Sequence, residues 1–202
     1  MATSQSPAPG FAVRGLGVVG IVGGIGILVA FVVDIPPAVN TVRIVLFYAA
    51  AIAVTVAVHP WHAAVSRRLA LVAAVPPVLA NAWSLAWFLV GLGQERPFAG
   101  DFGLVGFYAG LASWMADAWF GLVALRIGVL WHPATLALAV GSILAITGID
   151  RLGLTSSADA TIFGPVSLLG IALTATAWVA LGTQVALGER RPARVSEAPE
   201  AA

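Results

Sequence analysis

Asp117 is the one acidic side chain that lies well inside an apolar run of this sequence. A carboxylate in such a run costs about 2.5–3.5 kcal/mol at the centre of a membrane helix, so it must face protein or water. Its neighbours in chemistry are Asn81, in the apolar run before it, and Thr55 and Ser113. Counting ~1.5 Å per residue along antiparallel helices puts Asn81 near mid-membrane, with Asp117 about one turn closer to the cytoplasm. Thr55 comes out level with Asp117, while Ser113, Ser142, Thr174 and Thr176 fall close to the midplane. Two chemistries suit this set. Asp117 could bind a proton, a cation or another ligand, with Asn81, Thr55 and Ser113 as its polar partners. Alternatively it is neutral or hydrogen-bonded to Asn81 and the hydroxyls, and ties helices together.

The three histidines are weaker candidates. His59 and His62 stand three apart at the end of one apolar run, and His132 opens another, all at one predicted interface. Imidazoles at one level are possible ligands for Zn²⁺ or Cu²⁺. The His-Pro pairs in both loops have a simpler reading, as polar helix boundaries flanked by Trp61 and Trp131. We therefore expect no metal and no cofactor. Residues 15–20, GLGVVG, match the spacing of a dinucleotide-binding turn. That motif needs a preceding strand and an acid about twenty residues on. Here a short polar stretch precedes it and apolar residues follow, so these glycines read as helix-packing positions. Gly20 and Gly24 form a GxxxG, through which a second copy could also associate. Trp83 and Trp87, four apart, share a helix face and predict either an aromatic packing stripe or the wall of an apolar cavity.

The elements that must position these residues follow from composition. Of 202 residues 60% are hydrophobic and 9% charged, against roughly 25% charged in an ordinary soluble domain. The apolar residues fall in runs of about twenty, the length a membrane helix needs. A net charge of +1 gives no case for a nucleic-acid partner, and the absence of cysteine excludes disulfides and thiolate sites. All ten basic residues are arginine, a usage associated with GC-rich bacterial genes.

The runs predict an all-α polytopic transmembrane bundle of six helices over 14–187, between a disordered tail at 1–13 and another at 188–202. The predicted helices are Arg14–Val33, Val42–Val58, Leu69–Leu92, Phe102–Leu125, Pro133–Ile149 and Phe163–Leu187. Asp34–Thr41, with Pro36-Pro37, reads as a turn, and His59-Pro60-Trp61-His62 as the break that ends the second helix. Pro76-Pro77 should kink the third helix unless neighbours satisfy the carbonyls they free, turning Trp83 and Trp87 toward the bundle. Seven of the ten arginines (14, 67, 68, 126, 190, 191, 194) fall on loops of one parity and three (43, 96, 151) on the other. The positive-inside rule then places both termini in the cytoplasm of a bacterial inner membrane.

Trp119, Gly121, Arg126-x-Gly128, Pro133, Gly141 and Gly148 together resemble the fourth and fifth helices of a family of small six-helix bacterial membrane proteins. That family is known only as a domain of unknown function. Ala134 departs from it, since a basic residue would be expected after the proline. The resemblance implies the six-helix fold and carries no functional residues. From sequence, then, this is an integral membrane protein whose role is structural or regulatory rather than enzymatic. A small transporter or a ligand- or proton-binding protein using Asn81 and Asp117 is the alternative.

Overall fold

The computed structural model describes residues 10–29, 32–33, 37–91, 100–147 and 164–191. Six helices account for nearly all of them: α1 Phe11–Val29, α2 Pro37–Ala63, α3 Arg67–Gly91, α4 Gly100–Ile127, α5 His132–Thr147 and α6 Pro165–Leu187. The described residues contain no strand, and the all-α reading holds. Each helix packs against its neighbours in sequence, and α6 returns to α1, so the six close into a ring. Neighbours run antiparallel. Gly20 of α1 meets Val54 and Gly23 meets Leu46 and Ala50, so residue numbers rise on one helix as they fall on the next. Both ends of the chain's helical part therefore lie at one end of the bundle, where Gly17 of α1 meets Ala186 of α6. Within the ring α2 also touches α6 and α4, and this makes it the central helix.

Four helices are long and apolar enough to cross a membrane: α1, α2 over Val42–Ala63, α3 and α6. The other two differ for separate reasons. α5 has 16 residues, about 24 Å of helix against roughly 30 Å of hydrocarbon. α4, at 28 residues, is long enough but is not among the helices apolar enough to qualify.

Several boundaries differ from expectation. α1 begins at Phe11, three residues before Arg14, and ends at Val29. α2 starts at Pro37, inside the expected turn, because a first-turn residue needs no N–H donor. It also runs through His59-Pro60 to Ala63 instead of breaking there. Pro60 removes a single donor near the helix end, and the added turn buries His62 against Phe120 of α4, ring centroids 5.8 Å apart. α4 opens at Gly100, and α5 ends at Thr147. The polar loop expected at 93–101, apart from its last two residues, the one expected at 150–161, and all of the expected tails but 10–13 and 188–191 lie outside the described residues.

Two turns explain their glycines. Gly128, between α4 and α5, has φ 77°, and Gly188, after α6, has φ 72°. Both are left-handed conformations in which a side chain would be strained. The Gly188 N–H donates to the Val185 carbonyl at 3.0 Å and that of Glu189 to Gln184 at 3.0 Å, closing α6.

Candidate functional site

The polar side chains converge where α2, α3, α4 and α6 face one another. Asp117 is 1% exposed and Asn81 fully buried. The Asn81 amide Nδ2 donates to Asp117 Oδ1 at 2.9 Å and to the Pro77 carbonyl at 2.9 Å. One turn further along, Ser84 and Ser113 share a hydroxyl–hydroxyl bond of 2.6 Å, and Ser113 also donates to the Ala80 carbonyl at 3.0 Å. Tyr48 of α2 places its phenol within hydrogen-bonding reach of Ser84 and within electrostatic reach of Asp117. From α6 the Trp178 indole N–H lies beside the Asp117 carboxyl without making an aligned hydrogen bond. Neither of the side chains acting on that carboxyl, Asn81 through a hydrogen bond and Trp178 by proximity, is basic.

Thr55 is fully buried, and its hydroxyl has no hydrogen-bond partner. Tyr48, Thr55 and His62 recur every seven residues, which puts them on one stripe of α2. Tyr48 meets Ser84 at one end of that stripe and His62 meets Phe120 at the other. Asp117 stands between Ser113 and Phe120 on α4, so Thr55 is at its level. Asn81 Oδ1 and Trp178 Nε1 are likewise buried and unpartnered. Asn81 and Trp178 thus each bring an orphan polar atom beside the carboxyl of α4, and Thr55 adds another on the buried stripe of α2.

The diproline is handled by a neighbour. Pro76 cannot donate to the Val72 carbonyl one turn back. The Trp119 indole N–H supplies that donor at 2.8 Å, from α4. α3 continues through both prolines. The indoles of α3 do not share the inward face expected of them. Trp83 is 46% exposed on the outer surface, while Trp87 lies against Gly106 of α4, where a Cβ would strike its ring. An apolar cavity walled by both is therefore not formed.

His62 packs at a 40° tilt against Phe120, which stacks on Trp178 at 5.9 Å, and neither His62 ring nitrogen has a partner. His59 is half-buried on α2, and His132 opens α5. Among the described residues no three His, Asp or Glu side chains gather as a metal site would require. Gly20 and Gly24 are both buried within the chain, Gly20 against Val54 and Gly182 and Gly24 against Ala175 and Val179. Ser142 and Thr174 bond to each other at 3.3 Å across α5 and α6, and the Thr176 hydroxyl turns back on its own helix.

Three participants were missed in the sequence: Tyr48, Trp178 and Gln184. Tyr48 was legible in principle through its seven-residue spacing with Thr55 and His62. Trp178 stands in an otherwise ordinary apolar run, and only its place in the ring brings it to Asp117. Gln184 is fully buried and stitches the α4–α5 connection to α6. Its Oε1 accepts from the Trp131 N–H at 3.0 Å and its Nε2 donates to the Glu189 carbonyl at 2.7 Å.

No family model matches the chain, and neither a curated protein nor a solved structure matches it.

Proposed function

We propose that this is an integral protein of a bacterial inner membrane with all six helices across the bilayer, both termini cytoplasmic, and a structural or regulatory rather than enzymatic role. One observation carries the reading: the burial pattern is inside out for water. Asp117, Asn81, Ser113, Ser142, Thr174 and Gln184 are buried, while Leu79 is 65%, Leu169 55% and Leu122 51% exposed. Only a solvent as apolar as lipid makes that arrangement favourable. In this reading the Asn81–Asp117 and Ser84–Ser113 bonds fix α3 against α4 around a central α2. The seven arginines on one side support the orientation. The protein should remain in membranes washed with alkaline carbonate. A reporter active only in the periplasm, fused after residue 202, should stay silent, and a strong signal would refute the orientation.

A second reading, a transporter or ligand-binding protein acting through Asp117, is favoured by the orphan atoms Asn81 Oδ1, Thr55 Oγ1 and Trp178 Nε1. A purely structural lock would leave no reason for three buried groups to stay unpaired.

A further inference from the structure

The unpartnered atoms of Asn81, Thr55 and Trp178 face the interior that holds Asp117, and most of them share a chemistry. Two of the three, Asn81 Oδ1 and Thr55 Oγ1, are oxygens, fully buried and on different helices. A third oxygen comes from the backbone. Pro77 has no N–H, so the Ala73 carbonyl one turn back loses the donor that a helix would otherwise supply. Ala73, Pro77 and Asn81 are spaced by four on the buried face of α3. The equivalent carbonyl freed by Pro76 is bonded by Trp119 on the outer side. Ser84 and Ser113, by contrast, already satisfy each other. Beside the Asp117 carboxylate is thus an amide oxygen, and the buried faces of α2 and α3 add a hydroxyl and a backbone carbonyl that have no donor or acceptor of their own.

Charge decides which ligand suits that set. The carboxylate brings one negative charge, and no basic side chain is among the groups acting on it. A divalent ion would leave a surplus positive charge in a dry interior, whereas a monovalent cation closes the count. Carbonyls released where a membrane helix is interrupted are known cation ligands. We propose that Asp117, Asn81 Oδ1 and Thr55 Oγ1, with the Ala73 carbonyl, bind one sodium ion between α2, α3 and α4. Three or four oxygens in a closely packed site suit the smaller alkali cation. The Trp178 N–H, which cannot bind a cation, is left to hydrogen-bond the carboxylate. The inference rests on the second reading above, that Asp117 is a ligand site.

The test is thermal melting of the detergent-purified full chain, followed by tryptophan fluorescence at fixed pH and ionic strength while sodium replaces choline. Wild type should gain on the order of 5 °C, saturating with sodium, because a ligand of the folded state raises its melting temperature. Potassium should give less than half that gain at equal concentration. Asp117→Asn should melt without sodium dependence, its amide needing no counter-charge. Thr55→Val should keep a saturable gain but shift its midpoint about tenfold, a change of about 1.4 kcal/mol. A purely structural Asp117 would move none of these sodium readouts. Identical melting of wild type in choline and sodium overturns the proposal, as does a full sodium response in Asp117→Asn. So does a stability that follows pH alone, which would assign the site to a proton. None of these outcomes depends on membrane orientation, which the reporter fusion reads separately.

Discussion

The ring is held by two kinds of seam, and they sit on opposite sides of α2. Where α6 meets α1 and α5, contact is made through glycine, backbone against backbone. A Cβ on Gly182 would lie 2.6 Å from the Gly17 carbonyl oxygen and 2.8 Å from the Ile21 nitrogen, and one on Gly141 would lie 2.9 Å from the Gly170 oxygen. Where α3 meets α4, the contact is made by side-chain hydrogen bonds: Asn81 to Asp117, Ser84 with Ser113, and Trp119 to the Val72 carbonyl. In lipid, burying apolar surface between helices gains little, so helices associate by close packing or by polar bonds. This chain packs α1 on α6 through glycine, ties α3 to α4 mainly by polar bonds, and combines both between α5 and α6, where Ser142 and Thr174 also bond. The packed side has no slack, whereas the bonded side holds the orphan oxygen of Asn81 and both prolines of α3.

Breaking the packed side should have the largest effect. Gly182→Leu drives a side chain into the backbone of α1, and overpacking of this kind costs about 3 kcal/mol. It should abolish a cooperative melt or lower the melting temperature by 10 °C or more, on the order expected for a domain of this size. Gly110 is the control, because nothing stands within 4 Å of its Cβ direction. Gly110→Ala should melt at or slightly above wild type, since alanine is the better helix former. If both variants behave alike, the glycine seam is not what holds α1 and α6 together.

The bonded side should yield more gently. Asp117→Leu removes the acceptor of the Asn81 amide and should cost about 0.6–2 kcal/mol, read as loss of melting temperature in detergent without sodium. Asp117→Asn should cost less than Leu under the same conditions. Ser84→Ala and Ser113→Ala should each cost about 0.6 kcal/mol, and the double variant less than their sum, because one bond serves both. Additive losses would show that the two hydroxyls act through separate partners.

Sequence alone revealed much of this division and missed the rest for identifiable reasons. Gly20 and Gly24 declared a packed face through their spacing, but which helix they meet depends on ring closure, which no local pattern encodes. Asp117 stood out because one carboxyl in an apolar run has few innocent explanations, and Asn81 followed from counting depth. Trp178 reaches the same place from α6, and nothing around it in the chain marks it. Pro60 misled because a loop signal was read where the structure keeps a helix with one donor missing. The indoles of α3 misled for a related reason. Residues four apart share a face, yet Trp83 lies outside while Trp87 is taken up by Gly106.

The smallest effect separates a hydrogen bond from mere contact at Pro76. Trp119→Phe keeps an aromatic ring against α3 but removes the N–H that serves the Val72 carbonyl, a bond of 2.8 Å. Interhelical bonds in membranes average about 0.6 kcal/mol, so the variant should lose one or two degrees. Pro76→Ala restores a backbone donor at position 76, and the helix can then bond the Val72 carbonyl itself. In that background the tryptophan N–H has a competitor, and Trp119→Phe should cost measurably less than in wild type. A double-mutant cycle in detergent, with all four proteins melted under one condition, measures this difference directly. Coupling of about half the single cost or more identifies the indole as the replacement donor for the proline. Strict additivity would mean that Trp119 stabilises α3 through packing alone, and that the bonded seam is weaker by one member.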